Sequence, residues 1–156
     1  MNIFYLNRDP VQCAKDHCDK HCVKMLLEYA QLMSTAHRVH DNNDDVYQIA
    51  HLNHPSTIWT RESLDHYQWL FQLWHHLNVE YTARYDKVHA SAVKLYKTLM
   101  NPPSNIPDNG FKDPPLCMPD QYKQDDAVES YRDLYRYDKS RFAVWAYSDM
   151  PDWYNL

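Results

Sequence analysis

The stretch His17–Gln31, HCDKHCVKMLLEYAQ, decides the fold. It reads as α-helix, and a helix advances about 100° per residue, so positions four, seven, eleven and fourteen apart share a face. On that spacing Cys13, His17, His21, Lys24, Glu28 and Gln31 line up as one stripe. Val23, Leu26, Leu27, Ala30, Leu32 and Met33 form the apolar face that a core requires. A solvated helix surface carries such a polar stripe, and so does the floor of an active site. The pattern alone does not choose between them.

The rest of the chain bounds the answer. Its 156 residues fit one domain, 1–156, and 44% hydrophobic with 14% aromatic residues exclude disorder. A single Gly argues against Gly-rich phosphate loops and against a β-sandwich with many tight turns. No signal peptide and no membrane-length apolar run are visible, so a cytoplasmic protein with no membrane partner is expected. The four Cys read as free thiols. Cys18 and Cys22, four apart, leave open a metal shared with another element, but there is no Cys-x-x-Cys and no metal is expected. The net charge of −5 works against general nucleic-acid affinity. The charge is uneven: residues 1–40 carry five Lys/Arg against four Asp/Glu, while 101–156 carry six against ten. A phosphate is therefore welcome only near the first long helix.

Helix signals recur downstream. Asp9-Pro10 reads as N-cap and first position of a helix running to about Val39. Residues 40–53 form a polar loop with one short turn near Val46–Ala50. Pro55 opens a second helix to about Tyr85, with Ile58, Trp59, Tyr67, Leu70, Leu73, Trp74, Leu77 and Tyr81 inward. Asp86 caps a third helix over about 87–100. Six of the nine prolines fall in 101–122, which must wrap as an extended strap. Asp125 or Asp126 caps a last helix to about Tyr147. The expected architecture is all-α: one compact bundle with long first and second helices and a Pro-rich wrapping loop.

His21, Lys24, Glu28 and Gln31, followed by Asn53-His54-Pro55 and Trp59, resemble the pyrimidine-dimer DNA glycosylase (endonuclease V) superfamily. The resemblance spans about residues 1–90 and is strongest to relatives in marine bacteriophages. It implies a helical bundle with the N-terminus tucked beside an essential carboxylate, Glu28. It further implies that an amine attacks the sugar C1′, expels the base and leaves an imine, from which β-elimination cuts the strand. No cofactor is called for, and for a phage-encoded chain the compartment is the host cytoplasm. His21 and Lys24 then hold phosphate, and His17, Gln31, Asn53, His54, Arg61 and Trp59 complete the substrate-binding set. Tyr5, Trp59 and Tyr67 offer surface for an extruded base. Asn2 departs from the family, whose nucleophile is the α-amine of a small residue exposed by removal of Met. Either Met1 is the nucleophile here, or Lys24 replaces it, or the chain lacks lyase activity; Met1 is favoured over Lys24 because Glu28, four residues on, holds Lys24 charged.

Three functions remain in view. The first is a DNA glycosylase-like repair or modification enzyme with DNA as partner, its positive face drawn from Arg8, Lys15, Lys20, Lys24 and Arg38. The second is a hydrolase or transferase acting on a free nucleotide or small N-glycoside. The third is a non-catalytic phage protein binding a host protein through the acidic, Pro-rich segment 101–126, for which Glu28 would be exposed and unremarkable.

Overall fold

The computed structural model describes residues 1–155, and within them the chain is all-helical with no strand. The helices are α1 (Pro10–Asp16), α2 (Asp19–Asp41), α3 (Pro55–Glu62), α4 (Leu64–Tyr85), α5 (Ala90–Leu99) and α6 (Ala127–Asp133). A π-helical turn, Leu134–Asp138, continues α6 and passes into a 3-10 turn, Lys139–Arg141. Trp74, Tyr29, Tyr67, Tyr131, Tyr135, Leu26, Leu32 and Met33 pack at its centre, all under 2% exposed. No helix of the described residues is long and apolar enough to cross a membrane.

The N-terminal segment is not a loose lead-in. Ile3, Phe4, Tyr5 and Leu6 are buried and run extended through the bundle. A buried extended backbone must find partners outside any sheet. Here the Phe4 amide donates to the Tyr29 hydroxyl at 3.1 Å, the Phe4 carbonyl accepts from Cys13 Sγ, and the Leu6 carbonyl accepts from Arg132 Nε at 2.9 Å.

Where one helix is expected over 10–39, the structure has two. The chain turns extended at His17 (ψ 128°) and Cys18 (ψ 163°) before α2 begins. Arg84 of α4 makes the break tolerable: its fully buried guanidinium donates to the carbonyls of Lys15 and His17 and pairs with Asp19 at 3.2 Å and Glu80 at 3.1 Å. Asp19 also accepts from the Ala146 amide at 2.7 Å, so the start of α2 is tied to the C-terminal segment as well. Because of the turn, Cys13 and His17 leave the face that carries His21 and Glu28. Val23 and Leu27, expected in the core, are each 42% exposed.

The second expected helix is also broken, at Ser63. The Pro-rich strap supplies what the break leaves unsatisfied. The Leu64 amide donates to the Pro107 carbonyl, Ser63 Oγ to the Gly110 carbonyl, and Asn109 bonds both Ser63 Oγ and the Glu62 carbonyl. His66 clamps the same strap, donating from Nδ1 to the Trp59 carbonyl and accepting the Lys112 amide at Nε2. Asp86 proves to be the left-handed C-cap of α4, and His89 caps α5. The last helix stops at the π turn, well short of Tyr147, and Trp145 is buried from an irregular segment.

Replacing Arg84 by Met leaves Asp19 without its buried partner and strands two helix carbonyls. The expected loss is about 3–5 kcal/mol of unfolding free energy, measured by urea titration against the parent protein.

Candidate active site

α2 carries the candidate site on one face near its N-terminal half. His21, Lys24, Met25 and Glu28 line a cavity of about 220 Å³ with Met1, Asn2 and Phe4 from the N-terminal segment. Its other wall is Lys139, Arg141 and Phe142, from the turn after α6. Lys20, Lys24, Lys139 and Arg141 therefore surround one carboxylate, Glu28, and the cavity is basic in a chain of net charge −5. Lys20 Nζ lies 4.3 Å from the centre of the Phe142 ring and the Arg141 guanidinium 5.6 Å, a cation–π pairing that orders this wall.

Glu28 is not a solvated surface carboxylate. Its side chain is 19% exposed, and Oε2 is buried with no hydrogen-bond partner; Lys24 Nζ stands 3.9 Å away, a charge contact too long for a hydrogen bond. A buried charged oxygen without a donor is costly unless something else meets it. Lys24 itself is 63% exposed.

The two histidines play different parts. His17 is fully buried: Nδ1 donates to the Cys13 carbonyl at 2.7 Å, which leaves Nε2 to accept from the Tyr29 hydroxyl at 2.8 Å. Burial brings its pKa down to about 4. It cannot reach a substrate, a correction to the expected role, and it acts instead in the network Phe4–Tyr29–His17–Cys13 that seats the N-terminal segment. His21 lines the cavity and is stacked on Phe4 at 4.0 Å, with Nδ1 2.7 Å from the Tyr135 hydroxyl. Burial first, then repulsion that a second charge would meet from His17 and from the cations Lys139, Lys24 and Lys20, lower it to about 2, so it is neutral. The anticipated phosphate-binding cation at this position is therefore a neutral ring.

The remaining expected residues do not line the cavity. Gln31 lies one turn beyond Glu28. His54 is the N-cap of α3, accepting from the Ser56 amide, and burial, then the positive charge of the Met1 amine, lower its pKa. Asn53 is exposed on the loop before it. Arg61 donates to the Leu52 carbonyl and holds that loop, rather than standing free for phosphate. Trp59 is core, stacked on His66 and donating to the Lys112 carbonyl. Tyr67 is fully buried and Tyr5 nearly so, and Tyr5 donates to Asp113, so neither offers a face to an extruded base. Of the five cations expected to form the positive face, Arg8 pairs with Asp126, Arg38 donates to three loop carbonyls, and Lys15 faces Asp16, Glu80, Asp149 and Asp152 in a separate acidic cleft. Arg141 and Lys139, the latter paired with Asp138 at 3.0 Å, line the cavity in their place.

Cys13, Cys18 and Cys22 are buried thiols, with Cys13 and Cys22 pushed up to about 12 by burial. Among the described residues no three His, Cys, Asp or Glu side chains are grouped to hold a metal ion. Comparison of the chain with protein-family models, curated proteins and solved structures returns no match.

Acid should unfold this protein early. His17 is neutral when folded and protonates at its ordinary 6.5 once unfolded. Its contribution, on the order of 3 kcal/mol, is complete above pH 6.5 and is lost as the pH falls to about 4. His21, lowered further, acts in the same direction over the same range. Unfolding free energy measured from pH 7.5 to 4.5 should fall steadily, and a Tyr29→Phe variant should start lower by about 1–3 kcal/mol, from the orphaned Phe4 amide and His17 Nε2.

Proposed function

We propose that the chain is a DNA glycosylase-like enzyme of repair or modification that uses an amine nucleophile and Glu28. One observation carries the reading: Met1 and Glu28 open onto the same small basic cavity. In the proposed reaction the Met1 α-amine, unprotonated, attacks C1′ of a deoxynucleotide. The bond from C1′ to the base breaks and its electron pair leaves with the base, which takes a proton. Glu28 stabilises the cationic sugar in passing and accepts the proton released by the attacking nitrogen. Ring opening, with a proton delivered to the ring oxygen, leaves an imine between Met1 and C1′. Removal of a C2′ proton then expels the 3′ phosphate by β-elimination.

Met1 is favoured over Lys24 as nucleophile because the Lys24 side chain is largely exposed and its Nζ is engaged with Glu28 at 3.9 Å. Lys20, Lys24, Lys139 and Arg141 are the phosphate-facing cations. DNA is favoured over a free nucleotide by size. At about 220 Å³ the cavity falls below the roughly 300–1,000 Å³ of self-contained small-molecule pockets. It fits a sugar with one phosphate, the rest of the substrate lying outside. A non-catalytic role, for which Glu28 would be exposed, is disfavoured by the largely sequestered Glu28 with its buried Oε2.

Borohydride trapping on abasic-site and ultraviolet-irradiated duplexes tests the reading. A covalent adduct is expected, lost on acetylation of the N-terminus, retained in Lys24→Ala, and formed about 10²–10⁴-fold more slowly in Glu28→Gln. No adduct, together with no binding at low salt, overturns it.

A further inference from the structure

The proton arrangement around His21 follows from counting donors. The Tyr135 oxygen receives the Cys18 amide at 3.4 Å and lies 2.7 Å from His21 Nδ1. Tyr135 is fully buried, so its own O–H proton needs an acceptor within the protein. His21 Nδ1 is the nitrogen acceptor in reach. Were Nδ1 instead to carry the proton, the Tyr135 oxygen would receive two donors while its own proton had only the weak Cys18 sulfur beside it. The favourable arrangement has Tyr135 donating to Nδ1, which puts the imidazole proton on Nε2. That nitrogen has no hydrogen-bond partner among the described residues and is not one of their sealed, unpartnered polar atoms, so it opens to the cavity that His21 lines.

His17, four residues earlier, supplies a contrast within the same molecule. Its Nδ1 faces a carbonyl, which only accepts, so the proton sits on Nδ1 and the tyrosine donates to Nε2. Two neighbouring histidines, each held by a tyrosine hydroxyl, thus carry opposite tautomers. Phe4, stacked on the His21 ring with a 20° interplanar angle, and Phe142, edge-on at 5.4 Å, keep the ring from turning over. Tyr135 owes its position to the π-helical turn, an element that occurs often where a helix has been bent for a functional site.

We infer that Tyr135 is a positioning residue that locks His21 as its neutral Nε2–H tautomer, so that His21 meets the substrate as an uncharged hydrogen-bond donor to an oxygen and not as a phosphate-binding cation. The donor role rests on the reading of this cavity as the active site; the tautomer does not. Lys20, Lys24, Lys139 and Arg141 already provide positive charge around the cavity. A neutral donor adds direction, aimed at a sugar or phosphate oxygen held beside Glu28.

Nitrogen-15 NMR of the histidine rings at neutral pH decides the tautomer. In the parent protein His21 should show a pyridine-type Nδ1 and a pyrrole-type Nε2, with His17 the reverse. In Tyr135→Phe the His21 signals should move to a mixture of tautomers, while unchanged His17 signals report an intact fold. A pyrrole-type Nδ1 at His21 in the parent, or a His21 spectrum indifferent to Tyr135→Phe in a protein with intact His17 signals, overturns the lock. If Tyr135→Phe does not fold, the parent spectrum alone settles the tautomer. Adding a duplex with a stable abasic-site analogue should shift His21 Nε2 and leave His17 in place, and Tyr135→Phe should lower kcat about tenfold with little change in KM. Binding that moves Lys24 and Met1 but not His21 overturns the donor role. Absence of any duplex binding overturns the DNA reading instead, with the tautomer result standing apart from it.

Discussion

The buried hydroxyl of Tyr29 is the contact on which this structure turns. It accepts the Phe4 amide and donates to His17 Nε2, and so joins the N-terminal segment, α2 and, through the His17–Cys13 bond, α1. Without it the Phe4 amide would lie in the core unsatisfied, at a cost of about 1–3 kcal/mol. With it, Met1 is held three residues away from a fixed anchor and directly beside the helix that carries Glu28. Tyr29 follows Glu28 in sequence, so the residue that fixes the amine and the carboxylate that faces it share one turn of one helix. The geometry of the proposed site is thereby tied to the stability of the fold.

The all-α class and the wrapping strap were legible from the chain, because helical periodicity and clustered prolines are local signals. The two helix breaks were not. Residues 17–18 and 63 have no Pro or Gly to announce them. The first depends on Arg84, sixty-seven residues from the His17 carbonyl to which it donates, and the second on Ser63 meeting Gly110 across forty-seven residues. A break sustained by distant partners leaves no trace in a window of fifteen residues. Its consequence is large, since the first break rotates His17 out of the stripe to which helical counting assigns it.

The cavity was half legible for the same reason. His21, Lys24 and Glu28 lie on an unbroken part of α2, where i, i+3 and i+7 spacing holds, and the N-terminal proximity that the family resemblance implied has a counterpart in Met1 lining the cavity. Lys139, Arg141, Phe142 and Tyr135 come from a segment read as ordinary helix, and no spacing rule connects them to residues 1–28. One signal was available: KSRF, residues 139–142, is a basic cluster with an aromatic inside the most acidic third of the chain. Charge summed over long windows hides it, and a positive surface assembled from both ends of the chain is invisible to net charge altogether.

A cavity ringed by cations constrains what its histidine can be. Each added charge in a partly buried site raises the free energy of the next like charge, and His21 is both buried and flanked by Lys20, Lys24 and Lys139. Protonating it would place another positive charge where several already stand, so the ring stays neutral and its usefulness lies in the direction of its single N–H. Glu28 is the opposite case. Its Oε2 is buried and receives no hydrogen bond from the described residues. A carboxylate left one donor short is suited to a group that becomes positive, or sheds a proton, only during reaction. That asymmetry, a neutral donor and an unsatisfied anion within one basic cavity, links the burial of the N-terminal segment to the chemistry proposed for it.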